Sequence, residues 1–173
     1  MTYKESITAA MTEMATDQSV VFIGYGIRYG RAMGTLKNVS EAQLIETPVA
    51  ENLMVGLAIG MALAGLRPLV YIERSDFLLN ALDAIVNHLD AMHRISRGEF
   101  EPAVILRVVV GNREKPLYTG PTHTQDFSAA LESMVSFPVR RVRTAEEVEA
   151  GYACAIAGMK LQSMALFEYK DLM

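Results

Sequence analysis

Glu51 is the residue best placed to do chemistry in this chain. It opens an apolar, small-residue stretch that carries no further charge until Arg67. A carboxylate at the start of a helix faces the positive end of the helix dipole, which favours its ionised form. Such a residue is either a cap, since acidic residues are common in first turns, or a chemical tool. His123 stands in the polar loop Gly120-Pro121-Thr122-His123-Thr124-Gln125. The loop follows a long strand signal and precedes a helix signal, a position that suits a histidine meeting substrate, or equally one capping the helix at Gln125. Gly24-Tyr25-Gly26-Ile27-Arg28-Tyr29-Gly30 looks like a phosphate loop, but the dinucleotide fingerprint needs its third glycine where Tyr29 stands. His88 and His93 are five apart and share no helix face, so no metal site is expected from this chain alone.

The elements that must position these residues alternate between strand and helix signals. Helices are expected over Tyr3 to Thr16, with a Thr2/Glu5 capping box, and over Glu51 to Ala64, closed by Gly65 and Pro68. Others are expected over Phe77 to Ile95, Gln125 to Val135, and Thr144 to Met159, the last with a Thr144/Glu147 capping box. The uncharged Glu51 helix should be buried on most sides. Strands are expected at Val20 to Ile23, Gln43 to Glu46, Leu69 to Ile72, Ala103 to Val110, Val139 to Val142 and Met164 to Glu168. This order predicts a three-layer α/β fold, a mostly parallel sheet with helices on both faces. Ligands in such sheets collect at the carboxyl ends of the strands, where Gly24, Ser75 and Gly111 open their loops.

Composition narrows the function classes. At 173 residues, 51% of them hydrophobic, the chain is expected to be one domain, residues 1–173, with a substantial core. A net charge of −4 without a basic run argues against a nucleic-acid partner. The longest apolar run, Leu53 to Leu66, is too short and too glycine-rich to span a membrane. Met1 to Glu13 reads as polar and amphipathic, not as a signal peptide, and the single Cys154 suits a reducing compartment; a cytosolic location is expected. The eleven methionines mark either a Met-rich core or adaptable apolar surface at a subunit interface.

Read together, five ordered segments carry a resemblance. They are Thr47-Pro48-Val49-Ala50-Glu51, the Gly56 to Arg67-Pro68 helix and turn, Ser75-Asp76-Phe77 with Ala81 to His88, the Gly120 to Gln125 loop, and Phe167-Glu168-Tyr169-Lys170. From about Tyr3 to Met173 the chain resembles the pyrimidine-binding domain of thiamine-diphosphate enzymes, closest to the amino-terminal domain of 2-oxoacid dehydrogenase β subunits within the transketolase-like group. The resemblance implies the thiamine-diphosphate-binding fold. It also implies that Glu51 hydrogen-bonds the cofactor's pyrimidine ring and promotes the tautomer that activates the thiazolium carbon. His123 matches a loop histidine near the reacting substrate, in reach of a carboxylate, a carbonyl or a proton transfer. Glu51, Leu53, Met54 and Phe77 are implied as cofactor contacts. Three stretches depart from the pattern: Gly24-Tyr25-Gly26, Arg74-Ser75 and Gly111 to Tyr118. They make the site more polar and cationic. Arg74, Ser75, Arg113 and Gln125, with Lys115, either meet an anionic or sugar-like substrate or are ordinary loop polarity.

No Gly-Asp-Gly occurs in the chain, the sequence that in this group holds Mg²⁺ and the diphosphate. The chain is therefore expected to supply half of an active site. Thiamine diphosphate, with Mg²⁺ held mainly by a separate Gly-Asp-Gly subunit, would lie between the two in an α₂β₂ assembly. The implied reaction makes or breaks a carbon–carbon bond next to a carbonyl of a small keto substrate: ketol transfer, 2-oxoacid decarboxylation or acyloin-type ligation. A 2-oxoacid dehydrogenase component, or a non-catalytic partner subunit of the same fold, are the alternatives.

Overall fold

The computed structural model describes residues 1–112, 114, 120–158 and 162–173. The strands are β1 (Val20–Gly24), β2 (Leu44–Glu46), β3 (Arg67–Ile72), β4 (Ile105–Val110), β5 (Val139–Arg141) and β6 (Met164–Tyr169). They form one sheet in the order β2-β1-β3-β4-β6-β5, and every recorded pairing is parallel. The helices are α1 (Tyr3–Met14), α2 (Arg31–Gly34), α3 (Glu51–Leu63), α4 (Met92–Ile95), α5 (Ser128–Met134) and α6 (Ala145–Gly158).

Side chains alternate across the strands, as a sheet covered on both faces requires. Phe22, Leu69, Tyr71, Ile105, Val109 and Leu166 pack with α1 and α6. Ile23, Val70, Ile72, Leu106, Val108 and Phe167 pack on the opposite side with α3, the 75–90 segment and α5. The expectation of three layers around a mostly parallel sheet therefore holds, and every recorded pairing is in fact parallel. The Thr2/Glu5 capping box forms in both directions. At the start of α6, Glu147 N–H donates to Thr144, but the Glu147 carboxylate reaches back to the Arg143 N–H, one residue beyond a standard box. Among the described residues no helix is long and apolar enough to cross a membrane.

Three local expectations fail, each for a physical reason. Phe77 to Ile95 is not one helix: a 3₁₀ stretch, Ser75–Ala81, leads into a π-helix, Asp83–Asp90, and then α4. The Ala84 N–H donates to Asn52 Oδ1 of α3 at 3.2 Å, so a tertiary bond enters the ladder here. The helix expected from Gln125 starts only at Ser128, because the N–H groups of Gln125 and Phe127 are taken by Asp76 and Ser75. Within this chain α3 is not buried on most sides; Leu53, Gly56, Gly60 and Leu63 form an exposed face. In keeping with the misplaced third glycine, the Gly24 to Gly30 loop leads into α2, where Arg31, Ala32 and Met33 are left-handed (φ 49°, 45° and 59°), not into a right-handed helix.

Candidate functional site

The carboxyl ends of β1 and β3 and the start of α3 enclose a cavity of about 290 Å³, lined by Glu51, Met54, Phe77 and His123 together with Tyr25, Val49, Tyr71, Glu73 and Arg74. Sequence positions far apart thus converge where a parallel sheet places its ligands.

Glu51 is the first residue of α3 and is 4% exposed. The helix has no side-chain cap, since Ala50 occupies the N-cap position, so Glu51 is not spent on capping. Its carboxylate accepts one long bond, from Asn80 Nδ2 at 3.5 Å. A buried carboxylate on a helix dipole with so little satisfaction has capacity left for a ligand. At the other end of α3, Gly65 (φ 90°) closes the helix with N–H groups of Gly65 and Leu66 returning to Ala62 and Met61. The axis of α3 is fixed from both ends, and Glu51 with it.

His123 meets Phe77 edge to face, with ring centroids 5.0 Å apart and planes at 86°. Its Nδ1 lies 3.2 Å from Thr122 Oγ1. The loop that carries it is tied down on several sides. Gln125 donates its N–H and its Nε2 to the two carboxylate oxygens of Asp76, at 3.3 and 3.0 Å. Phe127 N–H donates to Ser75 Oγ at 3.0 Å. Behind the loop, Tyr169 O–H donates to Asp126 Oδ2 at 2.9 Å, and Arg143 lies 3.9 Å over the Tyr169 ring. Gly111, just past β4, sits so close beneath the loop that an added Cβ would collide with the His123 carbonyl.

The sequence-predicted site residues therefore divide. Glu51, Met54, Phe77, His123 and Arg74 line one cavity. Leu53 lies on the exposed face of α3, one step round the helix from Met54. Ser75 and Gln125 are engaged in holding the His123 loop. Arg113 and Lys115 lie outside the described residues. Tyr71 and Glu73, which also line the cavity, went unsuspected, their signal being their place at the end of β3; Tyr25 was noted only as a departure from the family pattern. Asp76 was visible only as part of a motif.

The glycine loop after β1 is occupied from within. Glu46, at the end of β2, accepts the N–H groups of Gly26 and Arg28, the latter at 2.7 Å. A carboxylate of the chain itself thus fills the concavity where a phosphate would sit in a dinucleotide fold. Among the described residues no group of three or more His, Cys, Asp or Glu could hold a metal ion.

A second buried polar cluster lies on the α1/α6 side of the sheet. Arg107 and Glu168 are both fully buried and form a bidentate pair, with Arg107 Nε 2.9 and 3.0 Å and Nη2 2.8 Å from the carboxylate oxygens. Thr35 Oγ1 accepts from Arg107 Nη1 at 2.9 Å, and Tyr152 O–H donates to Glu168 Oε1 at 2.5 Å. Burial opposes the Arg107 charge, but Glu168 and Tyr152 outweigh it and hold its pKa above the ordinary value. Burial, then Glu168, pushes the Tyr152 hydroxyl well above the usual range. Arg107 also stacks 5.1 Å over the Tyr71 ring, so the cluster braces one wall of the cavity.

A parallel sheet whose strand ends open on a cavity with a buried acid, an aromatic wall and a tethered loop histidine defines a ligand-binding α/β domain. The chain belongs to the transketolase pyrimidine-binding domain family, whose description, "Transketolase, pyrimidine binding domain", matches residues 1–173. It is 31% identical over 162 residues to the mitochondrial pyruvate dehydrogenase E1 component subunit beta of Saccharomyces cerevisiae, covering 90% of this chain and 43% of that protein. It is 30% identical over 153 residues to the corresponding subunit of Rickettsia conorii, covering 85% of this chain and 46% of that one. The chain thus spans less than half the length of these relatives. In fold it matches a split-gene transketolase described as an inactive beta4 tetramer, at a TM-score of 0.73 and 14% identity over 98% of this chain and 52% of the other. It also matches a transketolase from Campylobacter jejuni, at 0.75 and 13% identity over 96% of this chain and 25% of the other.

Proposed function

We propose that this chain is the pyrimidine-binding half of a thiamine-diphosphate enzyme that makes or breaks a carbon–carbon bond next to a carbonyl, working with a separate diphosphate-binding subunit. One observation carries the reading: Glu51, a buried and nearly unpartnered carboxylate, opens on the same cavity as Phe77 and His123. The chemistry of this set suits an aminopyrimidine. The carboxylate accepts or holds a proton at a ring nitrogen, while Met54 and Phe77 offer apolar walls to a flat ring. When bound, the cofactor would supply a carbon nucleophile and take up the electrons of the bond that breaks. The chain's own part is narrower. Glu51 orients the ring and exchanges a proton with it, and His123 orients the substrate or moves a proton beside it.

Among the described residues the cavity offers no diphosphate site of its own: the glycine loop is filled by Glu46, and no Gly-Asp-Gly occurs in the sequence. Mg²⁺ and the diphosphate therefore fall to the partner. The exposed face of α3 supports a partner, as does a neighbouring apolar hollow of about 520 Å³ between Leu63, Met92, Ile95 and Phe100. Ketol transfer, 2-oxoacid decarboxylation and acyloin-type ligation all use this half-site alike.

The test is calorimetric titration of thiamine diphosphate with Mg²⁺ into this chain, alone and mixed with a Gly-Asp-Gly subunit. Binding only in the mixture is expected. Tight binding to the isolated chain would overturn the division of labour, and absence of binding in both would overturn the cofactor assignment.

A further inference from the structure

Arg74 is a buried arginine with almost nothing to hold. It follows β3 in extended conformation (φ −141°, ψ 140°), lines the cavity and is only 3% exposed. Its recorded contacts are both with the preceding residue: Nη1 donates to the Glu73 carbonyl and stands 3.6 Å from Glu73 Oε1. The second distance is beyond hydrogen-bond range, and the Glu73 side chain is 38% exposed. Among the described residues no partner is recorded for Nε or Nη2. Guanidinium groups present a rigid fork of donors, and donors on a cavity wall that no protein acceptor takes are open to a ligand. Beside it Tyr71, 2% exposed and braced by Arg107, lines the same cavity, and among the described residues no hydrogen bond is recorded for its hydroxyl. Burial first, and then the Arg74 charge, hold the Lys170 ammonium below its ordinary range.

We propose that Arg74 and Tyr71 form the specificity-determining contact for an anionic group, a carboxylate or a phosphate, carried by the keto substrate. The pair deepens the reading above, since it assumes that this cavity faces the substrate. The fork would take two oxygens of the anion side by side and the tyrosine hydroxyl would donate to one of them, which selects charged over neutral keto compounds. Glu73, at the rim, gives up its long contact when the anion enters.

The test is a nuclear magnetic resonance titration of the ¹⁵N-labelled full chain, without thiamine diphosphate, with pyruvate, dihydroxyacetone phosphate and neutral dihydroxyacetone. Saturable shifts of the Ser75 and Phe77 amides are expected with pyruvate or with dihydroxyacetone phosphate, and none with dihydroxyacetone. Whichever anion saturates identifies carboxylate or phosphate as the preferred group. Arg74→Met should weaken that binding roughly ten- to a hundredfold, while Arg74→Lys retains part of it. If neither anion saturates these amides, or Arg74→Met binds like the wild type, the proposal is overturned. Should Arg74→Met fail to fold, as judged by its thermal melt, Arg74→Lys and Tyr71→Phe decide, since unchanged affinity in both sinks it. Because no cofactor is present, a failed cofactor-binding experiment leaves this outcome readable.

Discussion

Gln125 grips Asp76 with two hydrogen bonds, one from its backbone and one from its side chain, and this pair joins the His123 loop to the segment that follows β3. The consequence is mechanical. Asp76 is adjacent to Phe77, whose ring meets His123. Cutting the grip should release the histidine without touching it. Asp76→Ala is expected to cost about 1–3 kcal/mol in denaturant unfolding, the penalty for stranding partly buried donors. It should also remove the ring-current shift that Phe77 imposes on the His123 ring protons. An unaltered His123 spectrum in a destabilised variant would show that the loop is held by other contacts.

Gly111 holds the same loop from below. Its position is close enough to His123 that any Cβ must push the loop away. Gly111→Ala is expected to destabilise by about 1–3 kcal/mol, the usual range for overpacking, and to shift the His123 resonances as Asp76→Ala does. The two variants share one loop, so their costs should be less than additive. Additive costs would mean that they act on independent structures.

Glu51→Gln separates chemistry from fold. The side chain is nearly isosteric, and the native contact it makes is one long bond from Asn80. Its unfolding midpoint should therefore stay close to that of the wild type. With the partner subunit present, cofactor-dependent turnover should be abolished, because an amide cannot exchange a proton with a ring nitrogen as a carboxylate does. Near-normal turnover in this variant would end the role assigned to Glu51.

How much of this could be read from residues alone depended on the reach of the interaction. Helix and strand periods placed all six strands and the mostly parallel three-layer architecture, because local alternation and β-branched runs report burial directly. The convergence of Glu51, Phe77 and His123 was legible only through ordered motifs. The break in the Phe77 to Ile95 helix was not legible, since it comes from the Ala84 N–H donating to the Asn52 side-chain oxygen on another element. The exposed face of α3 was hidden for a different reason: an apolar helix looks the same in sequence whether its own chain or another covers it. Arg107 left a signal that was passed over. A lone charge inside a strand run covered on both faces requires a buried counter-charge, and Glu168 lies on the neighbouring strand.

That pair makes a sharp prediction. Glu168→Gln leaves the Arg107 guanidinium fully buried without its counter-charge, and should cost about 3–5 kcal/mol in urea unfolding. Replacing both partners together, as Arg107→Met with Glu168→Leu, should recover much of that loss, because an apolar pair strands no charge. If the double variant is as unstable as the sum of the single ones, the cluster contributes through packing rather than through charge.

Asp126 supplies the pH dependence. Burial alone would raise its pKa, but hydrogen bonds from Ser128 and Tyr169 outweigh burial and hold it below the ordinary aspartate value. A depressed folded pKa means that the folded state binds fewer protons than the unfolded chain. The Asp126 contribution is therefore fully present above the unfolded value, about 3.9. It is lost as pH falls through the lower folded one. On the alkaline side, burial and then the bond to Asp126 push Tyr169 up to about 12, so its hydroxyl stays protonated past the ordinary tyrosine range. Stability from that proton is present below the unfolded value, about 10. It fades as pH rises toward the folded one. The stability gap between wild type and Asp126→Asn should thus be steady across neutral pH and close at the acid end. A gap that persists unchanged once pH has fallen below the folded value, where both states are protonated, would show that the asparagine disrupts packing and that the carboxylate charge contributes nothing.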